Sequence, residues 1–333
     1  MDISEKGTSF RANGKIFGRQ LSLEQNQRAT PPLDLEADYQ FTLSLEEKNA
    51  VLRKLSVVVQ QGNKDLLQTS LDRPMNLTWG STIPGFAESS FQLVLTNLNL
   101  GDWASVLGTN ALAGKAGLRL NLLAQRDGRL LKTDLAAQVD DLAAQVGTNQ
   151  IDHAQLLFRF NGDLEDFKFI NLNEFNFNLN QSGQSLAQGN GSFRYDLPRR
   201  ELTGQSTVEA SLPQLLQQVP LPQIRSLAGR LKCTSLFSYT ADKQKVSGNL
   251  LLDSFTGQYA DYSFTNYHAS FDYNLELKED VLQIFRAGAT FRESFESGGG
   301  FDVAGEFNLK KKTGRFEFKV VDLNQHTLYP ILN

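Results

Sequence analysis

Between Phe91 and Leu107 the chain reads FQLVLTNLNLGDWASVL. Phe91, Leu93 and Leu95 fall on one side of an extended chain and Gln92, Val94 and Thr96 on the other, because successive strand side chains point to opposite faces. The stretch then changes period. Leu100, Trp103, Val106 and Leu107 fall at helical spacing, with Asp102 where a helix N-cap is expected. The same grammar returns in Phe316 to Leu332, FEFKVVDLNQHTLYPIL. There Phe316, Phe318 and Val320 stand for Phe91, Leu93 and Leu95, and Asp322-Leu323-Asn324 for Asn97-Leu98-Asn99. Leu328 and Leu332 stand for Trp103 and Leu107, every pair lying 225 residues apart. A third copy lies near the midpoint. Val208 and Ala210 form the strand, Ser211 the cap, and Leu212, Leu215, Leu216 and Val219 the amphipathic turn. The run-ups agree as well, Gly191-Ser192-Phe193 through Thr203-Gly204 and Gly305-Glu306-Phe307 through Thr313-Gly314. The spacing predicts an internal repeat of roughly 110 residues, several strands closed by one small helix. Approximate units are 1–108, 109–220 and 221–333, in one continuous array.

The rest of the chain is strand after strand. Leu35, Ala37, Tyr39, Phe41, Leu43 and Leu45 alternate with polar residues. Glu47-Lys48-Asn49 turns the chain into Val51 to Val59, and Gly62-Asn63 turns it towards Leu66 to Trp79. Leu118, Leu120, Leu122 and Ala124 run into Asp127-Gly128, a two-residue hairpin signal, and Leu131, Thr133, Leu135, Ala137 and Val139 return on one face. Leu156, Phe158 and Phe160 run into Asn161-Gly162, the other preferred hairpin pair. Phe175, Phe177 and Leu179 alternate with Asn176, Asn178 and Asn180. Leu231, Cys233, Ser235, Phe237 and Tyr239 share a face. Ala269, Phe271, Tyr273, Leu275 and Leu277 alternate with Ser270, Asp272, Asn274 and Glu276. Val281 to Phe295 and Phe301 to Leu309 complete the set. The fold class expected is all-β, with long antiparallel hairpins and helix confined to the three short turns. One face of most strands is apolar and the other polar, the pattern of a sheet with one side towards a core and one towards water.

Composition bounds what such a sheet can do. Hydrophobic residues make up 40% of the 333 and charged residues 21%, which excludes a disordered chain. The formal net charge is −4, without a basic block, so nothing recommends a nucleic-acid partner. A single cysteine excludes an internal disulfide. No apolar run reaches the roughly 18 residues that a membrane helix needs. The first residues, MDISEK, are too polar for a signal peptide. The chain ends where the repeat pattern calls for more strands, so it is expected to be a fragment of a longer protein.

Candidate chemistry is thin. His153, His268 and His326 have no carboxylate or cysteine at ligand spacing and are expected at the surface or at strand edges. Cys233, on an apolar strand face, reads as a buried, inert thiol. Gly108 to Ala116 misses the phosphate-loop pattern, with Ala116 in place of the hydroxyl residue. Gly298-Gly299-Gly300 precedes a strand and is expected to be a flexible loop. Lys310-Lys311-Lys312 reads as a solvated hairpin tip. Asn76, Asn180 and Asn190 head glycosylation sequons. Asp140-Asp141 and Glu165-Asp166 are paired acids with no partner for acid–base work. Trp79 and Trp103 read as packing anchors. No catalytic residue, metal site or cofactor is expected, and the chain is not expected to be an enzyme.

Strands that end in Asn-Leu-Asn-Leu or Asp-Leu-Asn, followed by a short Leu-rich turn at this spacing, resemble the AsmA-like family, in the wider group that includes TamB and YhdP. The residues that carry the resemblance are Phe91 to Leu107 and Phe316 to Leu332, with Leu52 to Leu77, LRKLSVVVQQGNKDLLQTSLDRPMNL, reading like the family's strand pairs. The resemblance implies an elongated, strongly curved sheet, a U-shaped β-groove with an apolar lining. It implies a periplasmic protein anchored in the inner membrane through a segment this chain lacks. It implies a role in passing phospholipid, or another acyl-chain lipid, along the groove between inner and outer membrane, or in outer-membrane assembly. The lining residues expected are Phe91, Leu93, Leu95, Phe175, Phe177, Leu179, Phe271, Tyr273, Leu275, Phe316, Phe318 and Val320.

A groove lined by Phe, Leu and Val can shelter acyl chains, each buried methylene contributing about 0.8 kcal/mol. The competing readings are a structural or adhesive β-solenoid or sandwich with no lipid ligand, and a transmembrane barrel. The barrel fits less well, because phenylalanines sit mid-strand as often as at strand ends and show no paired girdles.

Overall fold

The computed structural model describes residues 2–3, 8–22, 24–25, 28–80, 88–106, 112–146, 149–218, 221 and 223–324. Strand accounts for 79% of the chain, against roughly a quarter in ordinary globular proteins. The chain divides into two compact units, Met1–Val146 with Ile151–Phe175, and Gly147–Gln150 with Asn176–Asn333.

The first unit contains β1 (Asp2–Ile3), β2 (Ser9–Leu21), β3 (Glu24–Gln25), β4 (Arg28–Ala29), β5 (Leu33–Ser44), β6 (Asn49–Gln61), β7 (Lys64–Leu71), β8 (Met75–Thr78), β9 (Ser89–Asn99), α1 (Leu100–Trp103), β10 (Leu112–Gln125), β11 (Leu130–Val146), most of β12 (Asn149–Glu165) and the start of β13 (Phe169–Gln181). Neighbours in sequence pair antiparallel, from β1 and β2 through β5, β6, β7 and β9 to β10 and β11, with β3 and β4 forming a separate small ladder. Directly opposed residues share a face. The pairs Tyr39↔Leu55, Ala37↔Val57, Val57↔Thr69, Thr69↔Leu93, Leu93↔Leu120 and Leu120↔Leu135 therefore trace one apolar face through six strands.

Several turns differ from the sequence expectation. The strand expected over Leu66 to Trp79 is split at Asp72-Arg73-Pro74, because Pro74 has no N–H for a ladder. The break is held from the next strand, where the Ser90 amide donates to Asp72 Oδ1 at 2.6 Å and Ser89 Oγ to the Arg73 carbonyl at 2.6 Å. At Asp127-Gly128 the turn has four residues, Arg126 to Arg129, with Arg126, Asp127 and Gly128 all left-handed (φ 52°, 55° and 76°). It folds onto β8, where a Cβ on Gly128 would collide with the Asn76 carbonyl. Asn161-Gly162 is no turn at all. Both lie inside β12, where Gly162 is buried against β13, and the chain reverses at residues 166–168. A Cβ there would lie 2.6 Å from the Asn171 carbonyl, so this glycine serves close packing and not reversal.

The second unit contains the rest of β13, β14 (Gln184–Asp196), β15 (Glu201–Ser211), α2 (Leu212–Gln218), β16 (Ile224–Tyr239), β17 (Lys243–Tyr259), β18 (Tyr262–Lys278), β19 (Val281–Glu293), β20 (Glu296–Asn308) and β21 (Thr313–Val321). From β14 to β21 each strand pairs antiparallel with the next, an open meander. The triple glycine 298–300, expected as a loop, lies within β20. Gly298 and Gly300 are buried, and a Cβ on Gly300 would collide with the Ala289 carbonyl of β19. The Lys310 to Lys312 run is an exposed hairpin tip, as expected.

The two helices that can be described fall where the sequence placed them. Asn99, and not Asp102, caps α1: its side chain accepts from the Gly101 amide at 3.2 Å and its Nδ2 donates to Asp102 Oδ1 at 3.0 Å. The third expected turn, at Leu328 to Leu332, lies outside the described residues. No helix among the described residues is long and apolar enough to cross a membrane. Each helix is tied to the outgoing end of an earlier hairpin strand. Gln61 Nε2 donates to Asp102 Oδ2 at 3.0 Å in the first unit, and Gln218 Nε2 to Gln181 Oε1 at 2.7 Å in the second. A buried leucine follows each of those hairpins, Leu66 and Leu186.

Candidate functional site: an uncovered apolar sheet face

In the second unit the register carries one face across eight strands. One row runs Phe193, Gly204, Phe237, Val246, Leu275, Ile284, Gly305, Phe316. The next runs Gly191, Ser206, Ser235, Gly248, Tyr273, Ala287, Val303, Phe318. A third runs Gly189, Val208, Cys233, Leu250, Phe271, Ala289, Phe301, Val320. Large rings lie over glycines of the neighbouring strand. Phe177 lies over Gly189, Phe237 over Gly204 and Tyr273 over Gly248, each where a Cβ would collide with the ring. Rings also meet one another, Phe301 with Phe318 at 5.6 Å and Phe271 with Tyr273 at 6.1 Å, both stacked.

Among the described residues of this unit, no second layer covers this face. Phe271, Tyr273 and Leu275 are only partly buried, and Phe316, Phe318 and Val320 are 51%, 61% and 50% exposed. Coverage comes at one end, where Leu212 of α2 packs on the buried cluster of Phe255, Phe264 and Tyr267. Burial there pushes the Tyr267 phenol up to about 12, with Glu293 adding to the effect.

The opposite face of the same strands is polar. Arg286 Nε bonds Asp302 Oδ1 at 3.1 Å and its Nη2 lies 3.7 Å from Asp272, while Asn249 Nδ2 donates to Asp272 Oδ1 at 2.7 Å. Lys232 pairs with Glu209 at 2.6 Å and Lys243 with Glu276 at 2.9 Å. The Lys232 ammonium, helped by Gln188, holds the Glu209 carboxyl below its ordinary value. One aromatic ring crosses over. Phe285 is the extra residue of a bulge in β19, half exposed on the polar side, with Lys245 Nζ 5.9 Å from its ring centre.

The expected lining residues thus fall into separate sets. Phe271, Tyr273, Leu275, Phe316, Phe318 and Val320 share the face just traced, and Phe177 joins it over Gly189. Phe175 and Leu179 stand two residues before and after Phe177 on β13, at the same phase of the strand. Phe91, Leu93 and Leu95 lie on the apolar face of the first unit.

Other candidates change status. Asn76, the first sequon, is buried and donates to Thr78 Oγ1 at 3.0 Å, out of reach of a modifying enzyme. Trp79 is 43% exposed and anchors no core, in contrast to the expectation. Cys233 is half-buried, 3.7 Å from Ser235 Oγ, and not the fully buried thiol expected. Two histidines do meet carboxylates: His153 Nδ1 lies 2.6 Å from Asp141 and His268 Nδ1 2.8 Å from Asp253. Sequence spacing missed them because each acid comes from a neighbouring strand. No group of metal-ligating side chains forms among the described residues. The sequence reading also missed a polar seam in the apolar face, where Ser235 Oγ and Tyr273 OH lie 2.6 Å apart. Burial raises this phenol too. Its one sequence signal is Ser235 standing at an apolar phase of β16.

Comparison of the chain with family models, with curated proteins and with solved structures finds no match. The apolar face therefore carries the functional argument by itself.

Proposed function

We propose that this chain is a lipid-binding segment of a cell-envelope protein of the AsmA-like kind, its sheet curved into a groove whose apolar face shelters phospholipid acyl chains on their way between inner and outer membrane. The observation that carries this reading is the uncovered apolar face of β14 to β21, backed by a polar face rich in ion pairs. An exposed apolar surface of this extent on one side of a sheet marks a place where something else sits. Acyl chains suit it because each methylene removed from water contributes about 0.8 kcal/mol and no directional partner is required. The tie of each short helix to an earlier hairpin, seen once in either unit, supports the repeat part of the reading. On this reading the full protein is periplasmic and held at the inner membrane, and the groove performs no chemistry.

The test is Leu275→Asp against Asn274→Asp, neighbours on opposite faces of β18. Lipid is extracted from each purified protein and quantified by mass spectrometry, with thermal melting in parallel. The expected outcome is a folded Leu275→Asp protein with lipid content lowered severalfold and an Asn274→Asp protein that keeps its lipid. Unfolding of Leu275→Asp alone would point to a dry core, because an unpaired buried charge is very costly. That result, or wild-type protein that carries no lipid, overturns the reading in favour of a structural sandwich or solenoid.

A further inference from the structure

The seam of Ser235 and Tyr273 interrupts the apolar face in the middle one of its rows. Tyr273 of β18 extends over Gly248 of β17, where a Cβ would stand 2.6 Å from its hydroxyl oxygen, and so reaches Ser235 on β16. Ser206 of β15 stands directly opposite Ser235. Phe237, Val246 and Leu275 occupy the row on one side of this seam, and Cys233, Leu250 and Phe271 the row on the other. Hydroxyls on such a face cost free energy unless they are hydrogen-bonded. Ser235 and Tyr273 hold two O–H protons between them, and the bond of 2.6 Å that joins them uses one. For the other proton the chain offers the Thr234 carbonyl, 3.5 Å from the Tyr273 hydroxyl, or the Cys233 thiol, 3.7 Å from Ser235 Oγ. The first is at the outer limit of hydrogen bonding, and sulfur is a weak acceptor. The pair thus presents one poorly used donor, half-buried, to whatever lies on the face.

We infer that the Ser235–Tyr273 pair is a docking point for an ester carbonyl, so that the face takes ester-linked acyl lipid in preference to ether-linked chains. The inference rests on the groove reading and adds a fixed point to it. The apolar rows hold chains by area, with no directional demand. A hydroxyl pair holds an acceptor at one place, between β16 and β18. The acceptor must be neutral. No lysine, arginine or histidine stands in the three traced rows, so a carboxylate or phosphate laid there would be an unpaired charge on an apolar surface. Burial raises the Tyr273 phenol, which keeps the donor itself uncharged. An ester carbonyl meets both conditions: it is a good acceptor without charge, and it is joined to the hydrocarbon that the neighbouring rows would cover. An ether oxygen in its place is a poorer acceptor and leaves the donor with its distant partners.

The test is a competition between two lipids that differ only in that linkage. Delipidated protein is incubated with vesicles holding equal amounts of dioleoyl phosphatidylglycerol and its di-O-oleyl ether analogue, and the lipid it retains is extracted and quantified by mass spectrometry. Wild-type protein is expected to retain the ester over the ether by about fivefold, the selectivity of one net hydrogen bond. Ser235→Ala and Tyr273→Phe should each lower that ratio, and the double variant should bring it to about one while its uptake of the ether lipid stays unchanged. Unchanged ether uptake also shows that the double variant keeps its fold and its apolar face. A wild-type ratio near one overturns the inference and leaves the groove reading standing. A high ratio that persists in the double variant overturns it too, because the selectivity then lies elsewhere. So does loss of both lipids from the double variant, which would make the pair a support of the sheet and not a contact to the carbonyl. Wild-type protein that takes up neither lipid overturns the groove reading, and this inference with it.

Discussion

At the scale of single residues, this sheet is fitted by pairing rings with glycines. Phe177 over Gly189 and Tyr273 over Gly248 each place ring atoms where a Cβ on the neighbouring strand would stand. Gly128 combines that with a left-handed backbone, and the two demands can be separated. Gly183 has nearly the same φ, 77° against 76°, but nothing lies within 4 Å of its Cβ position. Gly183→Ala should therefore cost only the left-handed penalty, about 1–2 kcal/mol. Gly128→Ala adds a collision with β8 and should cost about 2–4 kcal/mol. Urea unfolding of the two variants measures the difference, and equal costs would show that the turn does not pack on β8.

The carboxyl of Glu209 offers a second residue-scale test. Lys232, with Gln188, holds its pKa in the folded chain below the ordinary 4.5 of a glutamate. A depressed carboxyl contributes stability above its unfolded pKa, and that contribution is lost as pH falls through the lower, folded value. Glu209→Gln should thus cost up to about 1 kcal/mol near neutrality, as partly exposed pairs do. The gap between variant and wild type should close as the pH drops below 4.5. A gap that persists in acid would mean the pair contributes nothing through its charge.

At the scale of elements, alternation was legible and reversal was not. The period of two placed β9, β10, β11, β18 and β21 and their faces, because a one-residue slip would turn the apolar set to the other side. Turn dipeptides were weaker guides. Asn161-Gly162 has the composition of a turn, but Gly162 answers to Asn171 on β13, a partner that sequence spacing does not reveal. The triple glycine misled in the same way, since Gly300 makes room for the Ala289 carbonyl. The α1 cap moved to Asn99 because Asn is as good a cap as Asp, and Asn99 stands one residue before the helix begins. The His–Asp contacts were hidden for a related reason. Asp141 and His153 meet across adjacent strands, and the register that joins them is a product of the whole ladder.

At the scale of the molecule, the question is whether the apolar face is a surface that a ligand occupies, and the chain carries its own reporter. Cys233 is its one cysteine. It is half-buried in the row that ends in Phe271, Phe301 and Val320, so it lies on the apolar face without being sealed in a core. A thiol in that position reacts with a maleimide at a rate set by access. Delipidated protein should label within the time of ordinary exposed thiols, slowed several-fold by partial burial. Reloading with dioleoyl phosphatidylglycerol vesicles should slow it about tenfold further, as acyl chains cover the row. The control is Thr234→Cys in a Cys233→Ser background. Thr234 is the next residue of β16 and faces the polar side, opposite Thr207 and Asn249. Its labelling should not respond to lipid, because nothing apolar covers that face. Protection of both positions would indicate a general tightening of the sheet, and protection of neither would mean that the lipid lies elsewhere. Protection of Cys233 alone would place acyl chains on the face that the register defines, at a named point along it.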